Sequence, residues 1–224
     1  MEREIVVRGT GEARALPDQA SLRVEVTADH KTQEEAHDAR TKLAAGVDEV
    51  LSRHADAIAR TTIASLLVQP RTRWHRGEDI RSGWRASRTS FVDVVTLDAL
   101  GEIMAGLVDA GAAVQGPQWS MAPTNPAYDQ ARAAAAEDAR RRAQSYATAL
   151  GLSVGPVAWV AEPGLRRDPG PPVPFEAGVV PMAAAAAPAG DTEPERVTPA
   201  ELTVRVDVEV GFTIVDASGG NDPD

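Results

Sequence analysis

Four histidines, a Gly-Thr-Gly, several acidic pairs, an arginine run and two neighbouring tryptophans are the residues of this chain whose types could do chemistry. His30, His37, His54 and His75 fall on a strand end, one helix and a hairpin, with no pair at metal-ligand spacing. His37 and His54 are about 25 Å apart along one helix by its rise per residue, too far to share an ion. No metal site is expected. Gly9-Thr10-Gly11 lacks the third glycine of a phosphate loop and lies inside a strand pattern instead of at a strand-to-helix turn. Its glycines fit better with close approach of another backbone element, such as a helix of small residues. There is no Gly-x-Ser-x-Gly elbow and no Ser, His and Asp set that the chain order singles out. Glu34-Glu35 and Glu137-Asp138 are expected to be solvated helix faces, because an acid/base pair needs burial. No catalytic residue and no cofactor site follow.

The arginines are more informative. Arg140, Arg141 and Arg142 share a helix with Arg132, which lies beside the apolar stripe. Arg132 is therefore expected to be partly buried and paired with a carboxylate, with an anion site as the alternative use. Trp74 and Trp84 flank a turn-like run, and at an exposed hairpin tip they would anchor another subunit or a protein partner.

The element that carries the arginines is the clearest in the sequence. Residues 125–151 read as one helix: Asn125 caps it, Pro126 suits its first position and Gly151 stops it. A helical wheel gathers Ala136, Ala139, Ala143, Tyr146, Ala147 and Leu150 on one face. Before it, residues 4–14 alternate with Ile5, Val7, Gly9, Gly11 and Ala13 on the inner side. Residues 20–28 alternate again after Leu16-Pro17-Asp18, which predicts a hairpin of the first two strands. Thr32 and Glu35 form a capping-box pattern ahead of a long helix. Residues 61–74 and 84–96 predict a second hairpin, with Pro70 marking an edge or a bulge. A shorter helix over 97–110 stops at Gly111, strands follow over 114–121 and 154–161, and residues 201–215 alternate as a closing strand.

Between them, residues 162–200 are rich in proline and alanine and predict an extended loop within one assembly. The fold class expected is α+β: long helices on antiparallel or mixed sheet, compatible with two related halves, as a single domain over 1–215 with a disordered tail at 216–224. No internal repeat is visible.

Composition narrows the partners. The formal charge of −10 disfavours nucleic acid and anionic membranes, since phosphate recognition needs Lys and Arg in excess. No apolar run is long enough for membrane insertion. Cysteine is absent, which removes thiol chemistry and disulfides. Aromatics make up only 4%, so the core must come from Val, Leu, Ile and Ala. If Met1 is the native start, no secretion signal precedes the first strand and a cytoplasmic location is expected.

Several of these stretches together resemble one family. Ile5-Val-Val-Arg-Gly-Thr-Gly-Glu-Ala, Pro17-Asp18-Gln-Ala, Gln69-Pro70, Gly83-Trp84, the run from Ala131-Arg132 through Ala139-Arg140, Ala143, Ala147 and Leu150-Gly151, then Pro181-Met182-Ala183 and Thr198-Pro199 are similar to the SIMPL-domain family, which includes YggE-like and periplasmic immunogenic proteins. The resemblance covers nearly the whole chain. It implies an α+β fold, ring-like or channel-like homo-oligomers, an association with stress defence or an adaptor role, and no established enzyme activity. The function expected is a non-enzymatic protein that self-assembles. The alternative is a small-molecule or anion-binding protein, or a hydrolase, with a helix–sheet pocket near Arg132.

Overall fold

The computed structural model describes residues 3–75, 77–166 and 198–216. In chain order its elements are β1 (Glu4–Ala15), β2 (Gln19–His30), α1 (Gln33–Arg53), β3 (Ile58–His75), β4 (Glu78–Val94), α2 (Leu100–Asp109), β5 (Ala113–Ser120), α3 (Pro126–Ala149), β6 (Leu152–Ala161) and β7 (Leu202–Asp216). The class is α+β, and all strand pairs are antiparallel. Most of the expected proline- and alanine-rich loop, and nearly all of the expected tail, lie outside the described residues. Two compact units emerge: β1, α3, β6 and β7 form one, and the remaining elements form the other.

In the first unit β7 is the central strand of the order β1-β7-β6, with Val7 opposite Val210 and Ile5 opposite Phe212. α3 lies on this sheet. Asn125 Oδ1 accepts the Ala127 N–H at 2.9 Å, Pro126 takes the first turn, and Gly151 follows with φ +71°, so both expected ends are found. The buried apolar positions are Ala127, Ala131, Ala135, Ala139, Ala143 and Ala147, every fourth residue. This corrects the wheel-based face: Ala136, Tyr146 and Leu150 are exposed. The contact follows an i, i+4 ridge, and Tyr146 and Leu150, three positions on from Ala143 and Ala147, fall off it. Gly9 and Gly11 explain why the ridge must be alanine. A Cβ on Gly9 would overlap the Ala135 carbonyl and the Ala139 amide, and one on Gly11 the Ala131 carbonyl and the Ala135 amide. The small-residue helix expected over these glycines is α3.

The second unit has the strand order β3-β4-β2-β5. Leu22, Val24, Val26, Val92 and Val94 point from the sheet into a core closed by Val47, Val50 and Leu51 of α1 and Ile103 and Leu107 of α2. The capping box of α1 is complete: Thr32 Oγ1 accepts from Glu35 N at 3.2 Å, and Glu35 Oε2 accepts from Thr32 N at 3.3 Å. The shorter helix begins as a single 3-10 turn over Leu97–Ala99 before α2.

The expected hairpin of β1 and β2 is not formed. β1 pairs with β7, while β2 pairs with β4 and β5. Pro17 offers no N–H to a hairpin ladder, and the Asp18 carboxylate instead accepts the Ala122 N–H at 2.7 Å, tying the start of β2 to the residues after β5. The second hairpin is found, β3 against β4, and β3 is the outer strand of its sheet. Pro70 sits opposite Trp84 on this edge, as its missing donor requires.

Candidate functional site

The β3–β4 hairpin concentrates what the sequence marked as interactive. It closes near Gly77, whose φ of +92° suits a turn. Trp74 is opposite Asp79, close to the tip, and is 69% exposed. Trp84 lies deeper, opposite Pro70 on one side and His30 on the other, and Arg81 stacks 5.3 Å from its ring centroid. Only Trp74 is a tip residue.

Register assigns the faces of β3. Ile63, Leu66 and Val68 are opposite Ser90, Arg88 and Ala86, all buried on the side of the sheet that carries α1. These β3 positions therefore belong to the helix-covered face, yet Ile63 is 53% and Leu66 62% exposed. α1 does not cover them. Leu67 and Phe91, on the opposite face, are also exposed. All residues from Ala59 to Leu67 are exposed, so among the described residues β3 offers an open backbone edge with uncovered apolar side chains on both faces. An open groove lined by Asp48, Leu51, Ser52, Ile58, Arg60 and Thr61 runs between the end of α1 and the start of β3.

Charges brace this sheet. On the outward face Asp29 is held by Arg85, Nε to Oδ1 and Nη2 to Oδ2 both at 2.8 Å, and by Arg71 Nη1 at 2.8 Å. The hydrogen bond from Arg85 holds the Asp29 carboxyl below its usual range, and the same pairing raises Arg85. Under α1, Arg88 is almost wholly buried and grips Asp48 through Nη1 to Oδ2 at 2.9 Å and Nη2 to Oδ1 at 2.5 Å, with Nε on Ser90 Oγ at 3.2 Å. The hydrogen bond to Asp48 raises the Arg88 pKa.

In the other unit the buried carboxylate on α3 is Asp138. It accepts the Thr10 N–H at 3.0 Å and Arg142 Nε at 2.7 Å, and pairs with Arg141. The backbone donor of Thr10 is the largest cause of its lowered pKa, ahead of Arg142. The expectation that Glu137-Asp138 is wholly solvated therefore holds for Glu137 and fails for Asp138. Arg132 is paired with a carboxylate, Asp129 at 2.9 Å, but both side chains are exposed, so the burial expected of it is not found. Asp138 could have been found by registering α3 on Gly9 and Gly11, which brings the intervening Thr10 amide to it.

Among the described residues no three His, Cys, Asp or Glu side chains come together as a metal-binding group. His37 is exposed on α1, and His54 caps that helix with Nε2 3.9 Å from Glu102. Among the described residues, no helix is long and apolar enough to cross a membrane.

Comparison with known proteins gives the family. A family model described as SIMPL, a protein of unknown function (DUF541), matches residues 5–212. The chain belongs to the SIMPL family. Among SIMPL relatives, the uncharacterized protein YggE of Escherichia coli (strain K12) is 29% identical over 220 residues, spanning 98% of this chain and 87% of the relative. The YggE of Edwardsiella ictaluri (strain 93-146) is 28% identical over 162 residues, spanning 68% of this chain and 65% of the relative. The SIMPL match runs from within β1 to within β7, and so includes the hairpin and α3 alike.

Proposed function

We propose that this SIMPL-family protein is a non-enzymatic scaffold that works as a homo-oligomer, using the β3–β4 hairpin to self-associate, with Trp74 and Trp84 as anchors. The observation that carries this reading is the open edge of β3, where Ile63 and Leu66 belong to the helix-covered face of the sheet and yet are left uncovered. Long exposed edges with apolar side chains template further strand pairing, and folded proteins normally block or occupy them. An adaptor role, or one in stress defence, is the setting that the family resemblance implies. Arg132 is exposed and engaged by Asp129, which favours a local ion pair over a pocket for anions. Light scattering on purified protein tests the assembly: the reading expects a mass above the monomer, and a monomer at every working concentration would overturn it. Trp74→Ala is expected to lower the assembled fraction, and an unchanged mass would remove Trp74 from the interface.

A further inference from the structure

We infer that residues 61–69 of β3 form a two-fold seam with the same residues of a second copy, joining two four-stranded sheets in one defined register. This rests on the self-association reading above and goes further by naming the strand, the symmetry and the facing residues. Residues 61–69 contain no charge and no proline. The charges that flank them, Arg60 and Arg71, are neutralised within their own sheet, by Asp93 at 2.9 Å and Asp29 at 2.8 Å. Positive side chains that would otherwise keep an edge apart are thus already engaged.

A bulge restricts the register. The pairing of β3 with β4 shifts between Ile63 and Ser65, so Ala64 is the extra residue. Before the bulge Thr61 and Ile63 lie on the helix-covered face and Thr62 on the other; after it Leu66 and Val68 are on the covered face and Ser65 and Leu67 on the other. Two antiparallel copies related by a two-fold axis normal to the sheet keep the same faces on the same side, and directly opposed residues must share a face. An axis between Ala64 and Ser65 satisfies this. It sets Ile63 against Leu66 of the second copy, Thr62 against Leu67 and Thr61 against Val68. Ile63 and Leu66 of both copies then form one apolar cluster on the face that α1 leaves open. An axis between Ile63 and Ala64 also matches faces, but it sets Arg60 against Leu67 and Thr61 against Leu66; an axis through Leu67 matches them only from Ser65 to Gln69, because it puts Ile63 opposite Arg71 on the other face. Self-complementarity of this kind is what a two-fold contact requires, and it selects a second copy over an unrelated strand. The seam would be about 30 Å long at the rise of a β-strand. That is at the small end of specific interfaces, so dimerisation should depend on concentration.

The chain has no cysteine, so substitutions introduce the only thiols. Ile63→Cys and Leu66→Cys proteins, mixed and oxidised, should give a cross-linked dimer, with little from either alone, because like positions lie beyond disulfide reach in this register. Leu66→Cys mixed with Val68→Cys reports the alternative axis through Leu67. Leu66→Lys, at an exposed position, should lose the dimer while keeping the melting temperature that the wild type shows at dilutions where it is monomeric. Cross-linking of the first mixture together with loss of association in Leu66→Lys supports the seam. An oligomer that cross-links only in the second mixture, or that Leu66→Lys leaves intact, overturns the seam while self-association stands. A protein that is monomeric throughout overturns both.

Discussion

Two ion pairs decide most at the scale of single residues. Arg88 keeps its charge under α1 because Asp48 engages it with two hydrogen bonds, and removing Asp48 strands a buried guanidinium. Asp48→Ala is expected to cost about 2–3 kcal/mol in urea unfolding, less than for a fully buried pair because Asp48 is half exposed. A loss within error would show that water reaches Arg88. Asp138, like Asp29, contributes to the pH dependence. Its folded pKa lies below its unfolded value, so the unfolded chain binds more protons in the acid range, and stability present above the unfolded pKa is lost as pH falls through the folded one. The urea midpoint of wild type should therefore drop more steeply below about pH 5 than that of Asp138→Asn. Parallel acid limbs would contradict the role given to the Thr10 amide and Arg142. Both pairs were only half legible in the sequence. Alternation along β4 puts position 88 on the inward face, but it does not show which carboxylate α1 brings over it.

At the scale of elements, the packing of α3 on β1 is the part of the fold most fully written in the chain. Gly9 and Gly11 alternate on one strand face and the alanines recur every fourth residue on α3, so the two signals describe one close contact. Gly9→Ala should destabilise by about 3 kcal/mol or more, since the added methyl meets helix backbone that has no side chain to move aside. Tyr146→Ala, on the exposed side, should change stability by no more than about 0.5 kcal/mol. Equal effects would mean that the helix sits on the sheet by its wheel-based face after all. Strand partnership was not legible in the same way. Local alternation makes β1 and β2 look like a hairpin, whereas the partner of β1 comes from the far end of the chain, and no short-range pattern encodes that choice.

For the molecule as a whole, the informative mismatch is on β3. Ile63 and Leu66, three positions apart, share the core side only because of the bulge at Ala64, and no described element covers them. Sequence alternation reports which residues want burial and is silent on whether the monomer supplies it. The tryptophans illustrate the same limit: both were read as tip residues, while the ladder places only Trp74 there. The seam over residues 61–69 accounts for the exposed side chains, the absence of charge between Arg60 and Arg71, and the neutralisation of those two arginines within the sheet. Sedimentation equilibrium of wild type and Leu66→Lys side by side over a wide concentration range is the most direct test. The wild type should rise from the monomer mass toward an oligomer as concentration increases, and Leu66→Lys should remain monomeric at the same concentrations. A wild type that stays monomeric throughout, or a variant that associates equally well, would contradict the account.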